Sequence, residues 1–377
     1  MINIIHCADL HLDSRMETVL SPGQAAERRQ ELLANFIRMT QFARQNDVSL
    51  ILIAGDLFDT DQVSPASAGA LCRAMQDNPD ILFAYLQGNH DRGSFLSLLK
   101  EQPSNLLLFD GHWTSWRISP QIRLWGAELS AYAGHPEDRE ESAAFWDALR
   151  PDPACINLVM LHGTASSSAE ALLSREEIPL PLLTDRGIDY LALGHIHRHQ
   201  SGSLDQRGDW CYAGCLEGRG FDECGPHGFE LISADEETRT LSHRFVPFAG
   251  RIFYELPVDL TGCRSSMDAL DLIRVRASEE GCSPRDIVHV ILEGDLPPET
   301  DLFLSLLGRE LEGAFYALRL SDCTGIRVDY ETYEDDPSFR GTFVRLVRED
   351  PSLDQDLKAE IIRCGLQALS GRVDTLS

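Results

Sequence analysis

Five short stretches set nitrogen- and oxygen-donor side chains directly behind apolar runs. They are Asp9-Leu10-His11, Gly55-Asp56-Leu57-Phe58-Asp59, Gly88-Asn89-His90-Asp91, His162-Gly163 and Gly194-His195-Ile196-His197. Each apolar run reads as a buried strand, so each polar stretch falls where a strand leaves the core. A pair of divalent cations takes about seven protein ligands of this kind, one of them a carboxylate able to bridge. Asp9, His11, Asp56, Asn89, His162, His195 and His197 supply that set. On extended segments Asp9 and His11 are expected to face one side, and so are His195 and His197. Gly88 is expected to let the chain turn. A single buried Asp or His is ordinarily a hydrogen-bonded structural residue. Five such motifs at five strand ends are not explained that way.

The elements that position these residues can be read from periodicity. Residues 2–7, 48–54 and 81–86 are continuous apolar strands, with amphipathic helices over 24–45 and 65–75 between them. This alternation predicts an α/β arrangement with strands covered on both faces. After Asp91, residues 106–109, 113–118 and 122–129 read as a meander of short strands, followed by a helix over 137–149. Strands at 156–161, 190–193, 210–213, 228–232 and 238–248 complete a largely β half. The fold class is therefore α/β (α+β), a four-layer α-β-β-α sandwich of two mixed sheets. Near Gly250 the pattern shifts to a small α+β unit over 250–334, and then to a helical tail over 335–377. The tail carries a stripe of Leu357, Ile361, Ile362, Leu366 and Leu369, suited to packing within the chain or against a partner.

In this order, Asp-x-His, Gly-Asp-x-x-Asp, Gly-Asn-His-Asp, a single His and Gly-His-x-His resemble the calcineurin-like metallophosphoesterases, over residues 1 to about 250. The opening Ile5-His6-Cys7-Ala8-Asp9-Leu10-His11-Leu12-Asp13-Ser14 resembles the DNA-repair exonuclease branch, which holds the SbcD-type nuclease subunit. The resemblance implies one metal on Asp9, His11, Asp56 and His197, and a second on Asp56, Asn89, His162 and His195, with Asp56 bridging. It implies Mn2+ for nuclease work, although the ligand set also suits Fe or Zn. His90 would face the scissile phosphate and stabilise or protonate the leaving oxygen, and Asp91 would orient His90 through a hydrogen bond. Residues 1–249 would be the nuclease domain, 250–334 a capping domain, and the tail a partner-binding region. DNA is then the substrate, a coiled-coil ABC-type ATPase the partner, and a homodimer the expected assembly.

The chemistry is sound on physical grounds. A phosphodiester anion repels hydroxide, and two cations both neutralise its oxygens and lower the pKa of a shared water, whose hydroxide attacks phosphorus in line. No serine or cysteine nucleophile is needed, and Cys7 reads as a packed thiol. Arg219, in Gly218-Arg219-Gly220-Phe221-Asp222-Glu223, would contact a phosphate or sit in a solvated turn, and Arg92 is similar. His199 reads as a surface histidine and His6 as core. Cys211, Cys215 and Cys224 lie close together without a CxxC spacing, so buried free thiols are preferred there to a structural zinc.

Composition narrows the function. The chain of 377 residues is 43% hydrophobic and 25% charged, with a formal net charge of −27 and only Lys100 and Lys358 as lysines. Nonspecific duplex binding depends on neutralising phosphates, so the chain alone is expected to bind DNA weakly. No run matches a membrane span or a signal core, which predicts a cytoplasmic protein without a membrane association. The leading reading is a DNA exonuclease subunit acting with its ATPase. The alternatives are a phosphodiesterase or phosphatase on a nucleotide or other small ester, or a scaffold that has lost catalysis. The complete ligand set disfavours the last.

Overall fold

A computed structural model describes the chain except residues 17–19, 60–62, 92–94, 100, 133–137, 171–173, 175, 298–299, 327–332, 334–335 and 370–377. Arg92 lies outside the described residues. The chain divides into two units, Met1–Ile252 and Phe253–Ser377.

The first unit runs β1 (Ile2–Cys7), α1 (Pro22–Gln45), β2 (Val48–Ala54), α2 (Pro65–Gln76), β3 (Leu82–Leu86), β4 (Leu106–Leu108), β5 (Thr114–Arg117) and β6 (Ile122–Gly126). It continues through α3 (Arg139–Asp147), β7 (Ile156–His162), β8 (Thr164–Ser166), β9 (Glu177–Pro179) and β10 (Tyr190–Gly194). The last strands are β11 (Gln200–Ser203), β12 (Asp209–Tyr212), β13 (Gly228–Asp235) and β14 (Thr240–Pro247). Two six-stranded mixed sheets result, ordered β14-β13-β1-β2-β3-β4 and β11-β12-β10-β7-β6-β5. In the first, β1 to β4 are parallel and β13 is antiparallel to β1. In the second, β12, β10, β7 and β6 are parallel, with β11 and β5 antiparallel at the edges.

Strand parity builds the layers, because alternate side chains point to opposite faces. In β2, Leu50, Leu52 and Ala54 pack between the sheets against Leu124, Leu158 and Met160 of the second sheet. Ile51 and Ile53 point the other way, onto Phe36 and Met39 of α1 and Leu71 and Met75 of α2. Val159, Leu161, Leu191 and Leu193 likewise cover Phe145 and Trp146 of α3. The four-layer α-β-β-α order expected from the sequence is the order found.

The expected meander is not. β4 pairs with β3 in the first sheet, while β5 and β6 form a hairpin at the edge of the second. Alternation along a short strand marks its buried face but not its distant partner, so local pattern could not separate these three strands.

Helix α1 starts at a capping box in which Ser21 and Gln24 cap each other, with Pro22 in the first turn. Its core face also carries a charge. Arg28 is fully buried, with Nη1 3.0 Å from Glu217 Oε1 and Nη2 donating to the Gly218 carbonyl at 2.8 Å. Glu217 further accepts from Asn35 Nδ2 at 2.8 Å and from the Gly250 and Arg251 amides at 2.7 and 3.1 Å. This hub anchors the loop between β12 and β13.

The second unit consists of β15 (Phe253–Asp259), α4 (Ser266–Glu279), β16 (Ile287–Glu293), β17 (Asp295–Leu296), α5 (Leu304–Glu310), β18 (Ala317–Asp322), β19 (Gly325–Ile326), α6 (Phe339–Glu349) and α7 (Gln355–Leu369). β15, β16 and β18 make a parallel sheet. In the tail, Ile362 and Leu366 bury against Tyr333 and Val344, whereas Leu357 and Leu369 stay exposed. Two of the five stripe residues are thus buried within the unit. Among the described residues, no helix is long and apolar enough to cross a membrane.

Removing one partner of a buried ion pair strands the other, which costs about 3–5 kcal/mol. Arg28→Ala should lower the free energy of unfolding by that amount in chemical denaturation. A loss under about 1 kcal/mol would show that the hub does not hold the loop.

Candidate metal centre

The first two strands leave their sheet side by side. The amides of Asp9, His11 and Leu12 donate to the carbonyls of Gly55, Asp56 and Leu57 at 3.1, 3.0 and 2.9 Å. This pairing carries Asp9 and His11 alongside Asp56. The expected extended geometry is absent at these positions: φ is 51° at Asp9, 44° at His11, 49° at Asp56 and 102° at His195. Left-handed backbone at a residue with a Cβ costs on the order of 1–3 kcal/mol and persists only where its surroundings enforce it. Here it turns the side chains inward from the strand ends, so the shared facing comes from strained turns and not from strand alternation.

Two groups of donor atoms form. Asp9, His11 and His197 have ligand atoms within 4.8 Å of one another, and so do Asp56, His162 and His195. Asp56 Oδ2 lies 3.3 Å from His162 Nε2 and 3.8 Å from His11 Nε2, between the groups. Asn89 Oδ1 is 2.9 Å from His162 Nε2 and 3.2 Å from His195 Nδ1. His11 and His197 bring their Nε2 atoms to 3.1 Å. The seven side chains expected from the sequence as ligands are therefore brought together.

The donor set fits divalent cations. Asp9 and Asp56 are almost fully buried carboxylates, surrounded by four imidazoles. Burial pushes the Asp9 carboxyl up to about 6, against the charges of His162 and His197. Burial acts in the same direction on Asp56, but the hydrogen bond and charge of His162 outweigh it and hold that carboxyl well below its usual range. For His162, burial would remove the proton, yet Asp56 and Asp9 raise the imidazole to about 9. The two acids thus favour the protonated form of the His162 imidazole, a role that a bound cation would take over.

The second nitrogens of the imidazoles are anchored. His162 Nδ1 meets the Ala54 carbonyl at 2.9 Å, His11 Nδ1 meets Asp59 Oδ1 at 3.0 Å, and His197 Nδ1 meets Glu223 Oε1 at 2.7 Å. Such contacts set ring orientation and basicity. Asp59 and Glu223 were not singled out in the sequence, although both lie inside stretches that were. Arg219 is neither a solvated turn residue nor free for phosphate: its Nη2 donates to Glu223 Oε1 at 2.7 Å and only 17% of its side chain is exposed.

Residues 88–91 differ from expectation in two ways. Gly88 has no left-handed φ. It is glycine for space, since a Cβ there would run into the Asp56 carboxylate and amide. Asp91 does not orient His90. Its carboxylate accepts from the amides of Leu57, Phe58 and Gly88 at 3.2, 2.9 and 3.0 Å, tying the β3 exit to the β2 exit. The carboxylate beside the His90 ring is Asp59, with Oδ1 3.4 Å from Nδ1. His90 itself is 49% exposed, and its amide donates to Asp56 Oδ1 at 2.9 Å. His6 is fully buried with Nδ1 3.0 Å from the Tyr190 hydroxyl, as a core residue. All ten cysteines are free thiols.

These positions separate two carboxylates by their roles. Asp91→Asn should cost about 1.5–3 kcal/mol of stability, because it weakens buried hydrogen bonds to a charged acceptor. Asp59→Asn should leave stability within about 1 kcal/mol and weaken metal binding about tenfold, measured by calorimetric titration. The reverse pattern would exchange the two assignments.

Comparison with known proteins agrees with the site. The model of the calcineurin-like phosphoesterase family matches residues 2–199. The uncharacterized metallophosphoesterase YhaO of Bacillus subtilis (strain 168) is 27% identical, over 93% of this chain and 88% of its own length. The DNA double-strand break repair protein Mre11 of Haloferax volcanii is 28% identical, over 89% of this chain and 70% of its own. The protein of the same name from Aeropyrum pernix is 25% identical, over 79% of this chain and 74% of its own. With more than half its length matched by the family model and the family's motifs converging at one centre, the chain belongs to the calcineurin-like phosphoesterases, a family of metal-dependent hydrolases.

Proposed function

We propose that the chain is a two-metal DNA exonuclease, the nuclease subunit of a DNA double-strand break repair machine. The observation that carries this reading is the convergence of seven donor side chains in two groups with Asp56 between them, beside the half-exposed imidazole of His90. The likeness to two Mre11 proteins over most of the chain supports DNA as the substrate. Asp9, His11, Asp56 and His197 would hold one ion, and Asp56, Asn89, His162 and His195 the other, with manganese as the metal. Divalent ions bound there supply the positive charge and the neutral-pH nucleophile that phosphodiester cleavage requires.

The chain's own groups then do three things. Asp56 joins the two halves, and its contact with the His90 amide fixes where that residue emerges. His90 stabilises or protonates the leaving oxygen, with Asp59 holding its ring. Asp91 keeps the turn between them closed.

The net charge of −27 is consistent with a partner that carries much of the phosphate-binding charge. A coiled-coil ABC-type ATPase fits that role, in a cytoplasmic assembly built on a nuclease homodimer. One feature favours a second reading. A cavity of about 330 Å³ opens beside Asn89, His162 and His195 and is lined by Gln87, Ser130 and Glu176. That is room for a single nucleotide, so the centre also suits a small phosphoester.

Linear single- and double-stranded DNA and a small nitrophenyl diester, each assayed with manganese and with or without the ATPase, separate the two. Cleavage of DNA from its ends supports the nuclease. Turnover of the diester with DNA untouched in every condition rules it out in favour of the small-ester reading. His90→Ala should lower kcat about 10²–10⁴-fold with metal content unchanged; near-normal turnover would remove His90 from the reaction.

A further inference from the structure

A second set of donor atoms lies apart from the strand-end centre, in the layer between the two sheets. His199 Nε2 is 3.0 Å from Glu230 Oε2 and 3.8 Å from Cys211 Sγ, and the three ligand atoms all lie within 4.8 Å of one another. Cys211 belongs to β12 of the second sheet and Glu230 to β13 of the first, while His199 directly precedes β11. Cys211 and Glu230 are almost fully buried, and the His199 side chain is 28% exposed, which leaves a way in from solvent.

We propose that His199, Cys211 and Glu230 bind one zinc ion that ties the two sheets together. Four lines of physical reasoning support it. The first is charge. A buried carboxylate needs a positive counterpart, yet no lysine or arginine pairs with Glu230 among the described residues; its contacts are two imidazoles. A thiolate and a carboxylate carry two negative charges, which one divalent ion cancels with His199 neutral. The second is geometry. Zinc bond lengths at tetrahedral angles put ligand atoms roughly 3.3–3.7 Å apart, and the measured 3.0 and 3.8 Å bracket that spacing. The third is donor type, since thiolate with imidazole selects zinc over the hard cations.

The last is the support around the carboxylate. Glu230 Oε1 is held by His243 Nδ1 at 2.6 Å, and His243 Nε2 is 3.4 Å from Asp209 Oδ2. One oxygen of Glu230 is thereby fixed and the other faces His199 and Cys211, as ligating carboxylates are normally steadied. Three protein donors leave the fourth tetrahedral position to solvent. The surface role expected for His199 does not hold, and the zinc once weighed for Cys211 with Cys215 and Cys224 is replaced by one that uses Cys211 alone.

Cobalt(II) tests the site, because a sulfur-to-cobalt charge-transfer band arises only where a thiolate ligates and the strand-end centre contains no sulfur donor. The full chain, stripped with EDTA and titrated with cobalt to saturation, should develop that band with the intensity of one thiolate-bound cobalt per chain. Cys211→Ser should abolish the band and lower bound zinc by about one ion per chain, whereas Cys215→Ser should keep both. Absence of the band in the unaltered chain, or its survival in Cys211→Ser, overturns the proposal. If Cys211→Ser does not fold, His199→Ala at its partly exposed position decides. Cobalt affinity at the band should fall about tenfold or more, and an unchanged affinity overturns the site. The outcome is independent of whether the strand-end centre cleaves DNA.

Discussion

The centre depends on one buried carboxylate. Asp56 stands at the end of β2 and reaches three other segments. Its Oδ1 accepts from the His90 amide, and its Oδ2 lies near the imidazoles of His162 and His11. Its backbone carbonyl accepts from His11, and its side chain fills the space that a Cβ at Gly88 would need. These contacts join β1, β2 and β3 of one sheet to β7 of the other. A carboxylate with 1% exposure is stable only if its charge is met, and the surrounding imidazoles meet it until a cation does.

That requirement explains the strain. Strand alternation delivers side chains to the two faces of a sheet, but a metal pair needs them beyond its edge, converging on a point. Left-handed turns at Asp9, His11, Asp56 and His195 perform the redirection. Their cost is carried by the surroundings: Leu12 pairs with Leu57 in the backbone, and both Asp9 oxygens accept from the His195 amide. Asp91 contributes in the same way by joining the β2 and β3 exits through three amides. Structural carboxylates thus hold the frame, and those grouped with the imidazoles sit inside it.

The loop between β12 and β13 connects this frame to the outer helix. Glu217 is fixed by Arg28 on α1, and six residues further on Glu223 holds both His197 and Arg219. Arg28 therefore acts on the centre only through the loop it anchors. The same design recurs between the sheets, where His243 steadies Glu230 against His199. Asp56, Glu217, Glu223 and Glu230 are each matched with histidine or arginine, in keeping with a chain that has two lysines, whereas buried Asp91 is held by backbone amides.

What the sequence determined by itself was which side chains converge and the layer order. Continuous apolar strands can only be covered on both faces, and five strand ends that each carry Asp, Asn or His are not explained as separate structural hydrogen bonds, so both were legible without coordinates. The pairing partner of β4 was not legible, because a three-residue strand carries no record of a distant neighbour. Nor were the roles of Asp59 and Asp91. Both are acids beside the motif, and only the folded backbone brings three amides to one and the His90 ring to the other. The association of His199 and Cys211 with Glu230 likewise depends on how two sheets meet face to face. Residue type sets what chemistry is available; tertiary contacts decide which of two similar groups performs it.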